Sequence, residues 1–173
     1  VSVNAQTFSW ATRVASDGFD YVQGMVQDNN ANLYQLISVD GSAQFGSIAV
    51  SVPSAVLSKC DSSGNYLMVK SWSDFLPSSI VINSQYGILI TGQLFSTVFD
   101  GWTVINPSGI GTQNTAIAAL YDTTLTLQWL VVFDIAQYSK IFASTFLNSG
   151  FVIGGTAPPG GQAGGARWQY RPP

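Results

Sequence analysis

The stretch Ala116-Ile-Ala-Ala-Leu-Tyr-Asp122-Thr-Thr-Leu-Thr-Leu-Gln-Trp129 decides the fold. Small and apolar residues run up to an Asp-led turn, and a second apolar run follows. Two such runs around a short polar break predict a β-hairpin. About sixty positions upstream, Ala55-Val-Leu-Ser-Lys-Cys-Asp61-Ser-Ser-Gly-Asn-Tyr66-Leu-Met has the same order. Recurrence over tens of residues is the mark of a repeat architecture.

A second pattern recurs three times. It is an apolar run, a turn containing Asn, and an apolar run that ends near glycine in two of the three copies. The copies begin at Tyr21, Ser79 and Ile141, with turns at Asp28 to Asn32, Asn83 to Gly87 and Asn148 to Gly150. Trp10, Trp72 and Trp129 punctuate the units at similar spacing, which places them between packed sheets. The strands expected are 10–14, 21–27, 33–37, 55–60 and 66–72, then 79–82, 87–92, 115–121 and 125–133, then 140–146 and 150–155. The fold class is therefore all-β, with antiparallel four-stranded blade-like units in a partial propeller or sandwich-like arrangement. Residues 1–155 form the repeated domain, with units at about 8–71, 72–133 and 134–155. Residues 156–173 read as a Gly/Pro-rich C-terminal tail. Residues 1–12 are a candidate strand to pair with the incomplete third unit.

Composition agrees. The chain has 173 residues, 46% hydrophobic and only 9% charged, with six basic and nine acidic side chains. An average domain carries about 25% charged residues. A net charge of −3 with no basic run argues against a nucleic-acid partner. All nine acids are aspartates, at 17, 20, 28, 40, 61, 74, 100, 122 and 134. Aspartate favours turns, and the lack of glutamate disfavours helices. No apolar run approaches the ~18 residues of a membrane-spanning helix, so the chain is read as not transmembrane. The start of the sequence has no signal-peptide pattern. The one Asn-x-Ser match, at Asn106, carries the forbidden proline.

The chain contains no histidine. Ser-His-Asp and Cys-His catalysis and histidine metal sites are thereby excluded. Cys60 is the only cysteine and reads as a small hydrophobe in a strand, with an intermolecular disulfide left open. Asp28-x-Asn30-x-Asn32 and Asp61-x-Ser63-x-Asn65 carry part of a calcium-loop spacing. Both lack its glycine and its final glutamate, so they read as hairpin turns. Asp17 with Asp20 and Asp100 with Asp122 are the carboxylate pairs a glycosidase could use. Their spread of one per turn argues for capping instead. No catalytic, metal or cofactor site is expected.

The order of tryptophan, small-apolar strand, Asn/Gly turn, strand ending Thr-Gly, Gly/Ser insert, Ala-led strand and Asp-x-x-Gly turn resembles the SBBP-type β-propeller repeat. Residues 83–92, 99–108, 116–129 and Asp61 to Asn65 carry the resemblance. It implies a blade per repeat. Two departures stand out. Leu36-Ile37-Ser38 replaces the expected Thr-Gly, and fewer than three repeats are present where about four close a ring.

The expected function is a non-catalytic structural or scaffold component that self-associates or docks on an extracellular, filament or virion-type assembly. So few charges give little opposition to association. Arg167, Trp168, Tyr170 and Arg171 are the candidate docking residues. The alternative is a lectin-like module with a glycan on Trp102, Asp100 and Asn106.

Overall fold

The computed structural model describes residues 11, 14–51, 55–104, 115–133, 140–147, 150–156 and 166–170, the last five by backbone alone. Every regular element among them is a strand. In chain order they are β1 (Ala15–Ser16), β2 (Tyr21–Gln27), β3 (Leu33–Ser38), β4 (Ala43–Phe45), β5 (Ile48–Val50), β6 (Ala55–Cys60), β7 (Tyr66–Trp72) and β8 (Phe75–Asn83). They continue as β9 (Gly87–Leu94), β10 (Val98–Phe99), β11 (Trp102–Thr103), β12 (Thr115–Tyr121), β13 (Leu127–Phe133), β14 (Lys140–Leu147), β15 (Gly150–Thr156) and β16 (Ala166–Tyr170).

The chain is all-β and antiparallel, in blade-like units. The first sheet has the order β2-β3-β6-β7, and the second β16-β13-β12-β9-β8. Each contains a four-stranded meander, to which β16 adds a fifth strand in the second sheet, with a small hairpin inserted after the meander's second strand: β4–β5 in the first unit and β10–β11 in the second. Hairpin β14–β15 repeats the first two strands a third time. The described residues form no closed ring. Residues 1–10, including Trp10, lie outside the described residues, as does the pairing expected of them. Residues 166–170, within the segment expected as a tail, form β16, which pairs antiparallel with β13.

The units stack face to face because each central strand is apolar on both sides. Tyr34, Leu36 and Leu57 of the first sheet meet Ile80, Ile88, Ile90, Ile117 and Leu130 of the second in the main core. Full burial of such side chains stabilises by about 1.5–3 kcal/mol each. The opposite side of the second sheet, with Leu89, Ala118 and Val131, packs on Phe146 and Phe151 of the third hairpin. The outer side of the first sheet, with Ile37 and Val56, is covered by Phe45, Ile48 and Val50 of the β4–β5 insert. We call the side of each unit that meets the following unit its leading face, and the other its trailing face. Trp72 and Trp129 lie between layers as expected: Trp72 stacks on Phe99 at 5.3 Å and Trp129 on Phe151 at 5.2 Å.

Registers show how closely the units repeat. β2, β8 and β14 each carry a bulge, between Val22 and Gly24, Pro77 and Ser79, and Ile141 and Ala143. In each case the residue after the bulge faces an equivalent partner: Leu36, Thr91 or Gly154. Pro77 is tolerated because β8 is an edge strand and the bulge lies beside it.

Three hairpin turns share one hydrogen-bond design. Asp28, Asp61 and Asp122 each donate a backbone N–H to the carbonyl four residues on, at 3.0 Å in every case. Their Oδ1 atoms accept the backbone N–H groups two and four residues on: Asn30 and Asn32, Ser63 and Asn65, Thr124 and Thr126. The fourth residue of each turn is left-handed: Ala31 (φ 62°), Gly64 (φ 84°) and Leu125 (φ 58°). The turn reading of Asp28 to Asn32 and Asp61 to Asn65 matches this geometry. These three carboxylates are held by the fold.

Candidate functional site

The best-defined polar cluster sits where the second unit's insert meets the end of the first sheet. Asp100 and Gly101 form the two-residue turn between β10 and β11, both at positive φ (52° and 78°). Asp-Gly in such a turn matches the twist of a tight hairpin. The turn brings the Asp100 carboxylate to Lys70 on β7. Lys70 Nζ donates to both carboxylate oxygens, at 2.8 and 2.7 Å. The pair is mostly buried, with side chains 25% and 17% exposed. The ammonium also lies 5.2 Å from the ring centre of Tyr121. Burial, then the Asp100 charge, pushes the Tyr121 phenol well above its ordinary range, so it stays protonated.

Beside this pair lies a cleft of about 340 Å³. Hydroxyls of Ser71, Ser73 and Ser96, the carboxylates of Asp74 and Asp100, and apolar surface from Val98 and Leu94 line it. Trp72 and Phe99 form its floor, braced by Phe75. Chemically this is a surface of acceptors and hydroxyls over an aromatic base. Asp100 is committed to Lys70, and Ser73 Oγ donates to Asp74 at 2.9 Å.

The candidate ligand residues divide. Asp100 lines the cleft. Trp102 is half-buried and packs against the main core, so its ring is only partly open to a sugar. Asn106 lies outside the described residues. Lys70, Ser71, Ser73 and Ser96 join the cluster without having been singled out from the sequence. The contact between Lys70 and Asp100 spans two units, and no local pattern announces it.

A second cleft, of about 320 Å³, lies among the turn tips at one end of the stack. Asp28, Asn30, Asn83 and Thr123 are among its lining residues. Lys59 bridges the units nearby, donating to the Thr123 carbonyl at 3.0 Å and lying 5.4 Å over the Tyr34 ring. Tyr34 donates to Asp28 at 3.0 Å. Burial, then that bond, raises the Tyr34 phenol above its ordinary value. Partial burial opposes ionisation of Asp28. The hydrogen bonds from Asn32, Tyr34 and Asn30 outweigh it and hold the carboxyl below its usual range.

The candidate docking residues Arg167, Trp168 and Tyr170 lie on β16, opposite Val132, Val131 and Trp129 of β13. Arg171 lies outside the described residues. Cys60 is buried, and burial followed by the Asp61 charge pushes its thiol up to about 11. Among the described residues no group of three or more Cys and Asp side chains could hold a metal ion. Among the described residues no helix is long and apolar enough to cross a membrane.

The fold and these clusters define the class: an all-β protein of stacked antiparallel units. Neither a protein-family model nor a curated protein matches the chain.

Proposed function

We propose that this protein is a non-catalytic structural component that self-associates or docks within a larger extracellular, filament or virion-type assembly. One observation carries the reading. The exposed apolar side chains include two groups at opposite ends of the stack, Tyr21, Val22 and Met25 on β2, and Phe142, Leu147 and Val152 on β14–β15. Exposed apolar groupings of this kind mark interaction surfaces. The sparse charge of the chain supports the same reading, because interface cores are depleted in charge. Kinship with SBBP-type propeller repeats is part of the proposal. The two meanders with inserts at the same place support it.

Light scattering on a sizing column tests the function. The reading expects a mass that is a multiple of the 18.4 kDa chain. A monomer at every concentration would contradict it.

The lectin-like alternative rests on the hydroxyl-lined cleft beside Asp100, over Trp72 and Phe99. Titration with oligosaccharides, followed by tryptophan fluorescence, tests that second reading. A saturable shift lost in Ser73→Ala would favour it over assembly.

A further inference from the structure

The contact between successive units is made twice within the chain and has a fixed pattern. Aligning the three bulges makes Gly24, Ser79 and Ala143 equivalent, and likewise Met25, Ile80 and Ser144. In the first contact, Gly24 of the leading unit lies against Ile80 of the next. A Cβ at Gly24 would stand 2.7 Å from Ile80 Cγ2. In the second contact, Ser79 lies against Ser144, with the hydroxyl oxygens 2.8 Å apart. A small residue therefore occupies the leading side of the crossing both times. Ala143 supplies a third small residue at the same register, and it is exposed.

The rest of the third unit's leading face follows the pattern. Tyr34, Leu89 and Val152 are equivalent by register. The first two are 0% exposed under the next unit, whereas Val152 is 49% exposed. Phe142 and Leu147 stand exposed on the same hairpin. At the other end, the first unit's trailing positions on β2 are open. Met25 is 58% exposed, whereas its equivalent Ile80 is 6% exposed. Val22 is exposed, whereas its equivalents Pro77 and Ile141 are buried.

Among the described residues, the outer side of the element that the contact needs is uncovered. In both internal contacts the first strand of the following unit, β8 or β14, packs on the first two strands of the unit before it. In the first unit that strand is β2. The β4–β5 insert covers Ile37, Val56 and Val69 on β3, β6 and β7, and leaves β2 open.

We propose that a second copy of this chain docks head to tail, with its β2 on the exposed face of β14–β15 and its Met25 against Ala143. This rests on the self-association reading and names its two surfaces. The new contact continues the one already built twice within the chain. It joins two different surfaces, so it propagates into a ring or a filament.

Two charge variants of the 173-residue chain test the proposal, Met25→Lys and Ala143→Lys. Both positions are exposed, and unchanged thermal midpoints confirm folding. Each variant alone is expected to lose self-association by at least tenfold. Mixed together, they retain one intact pair of surfaces and should form a 1:1 dimer that grows no further. An association sensitive to Ala143→Lys and indifferent to Met25→Lys would mean a symmetric contact and overturn the head-to-tail proposal. An association untouched by either variant would place the interface elsewhere and overturn it too. In both cases the self-association reading survives. A parent chain that stays monomeric at millimolar concentration overturns both.

Discussion

Gly24 and Ile80 mark a close crossing of the first two units: a Cβ at Gly24 would stand 2.7 Å from Ile80 Cγ2. No side chain fits there without movement. Gly24→Ala is expected to cost about 1–3 kcal/mol through overpacking. Ile80→Ala removes the obstructing methyl and itself costs about 2–5 kcal/mol. The double variant should be more stable than the sum of the two, because they share one cavity. Urea unfolding of all four proteins gives the coupling. Simple additivity would show that the crossing is not tight.

The left-handed position of the Asp-led turns gives a cleaner test. Gly64 fills it without strain, whereas Ala31 sits at φ 62° with a Cβ. Ala31→Gly should stabilise by about 0.5–1 kcal/mol, despite the added freedom of the unfolded chain. Gly64→Ala should do the opposite. The urea midpoints of the two variants should move in opposite directions from that of the parent.

Acid sensitivity should come from the same turns. Hydrogen bonds hold the carboxyls of Asp28, Asp61 and Asp122 below their ordinary value. At Asp28 and Asp122 they do so against the opposing effect of burial. A carboxyl depressed in the folded state contributes stability above its unfolded value, about 3.9, and loses it as pH falls through the folded value. Thermal midpoints should therefore hold level from neutral pH down to about 5 and drop below about 4. Asp28→Asn keeps the turn acceptor and cannot ionise, so its drop should be shallower. An equal drop in parent and variant would remove Asp28 from the account.

Cys60 is fully buried on β6, and its thiol is raised to about 11. Only the thiolate reacts readily. A thiol reagent at pH 8 should label none of the native protein and one thiol per chain in denaturant. Rapid native labelling would place Cys60 at the surface. A group raised in this way favours folding below its unfolded value and loses that contribution as pH climbs toward 11.

Much of the architecture was legible in the sequence. The long hairpins could be read because apolar runs flank turns with unmistakable chemistry: Asp28, Asp61, Asn83 and Asp122 all cap their own loops. Gly87, at φ 112°, is needed beside Tyr121, whose carbonyl a Cβ would strike. Other features left no local trace. The insert strands β4, β5, β10 and β11 have two or three residues each, too few for alternation to register. β8 begins at Phe75, ahead of the expected start at 79, because an edge strand accepts Pro77. The bulges that align the three units depend on pairing across strands, which a single strand's pattern does not reveal. Trp102 looked free within a polar insert, but the Asp100-Gly101 turn folds it back onto the core. The Lys70–Asp100 pair joins residues thirty apart, from different units.

The most direct measurement of head-to-tail docking is covalent capture. Met25→Cys with Ala143→Cys in one chain should give a ladder of dimers, trimers and longer species under mild oxidation. Each single variant should give no covalent ladder, because the cysteine it carries faces no second cysteine. Dimers from Met25→Cys alone, or no ladder from the double variant while the parent still associates, would contradict the account.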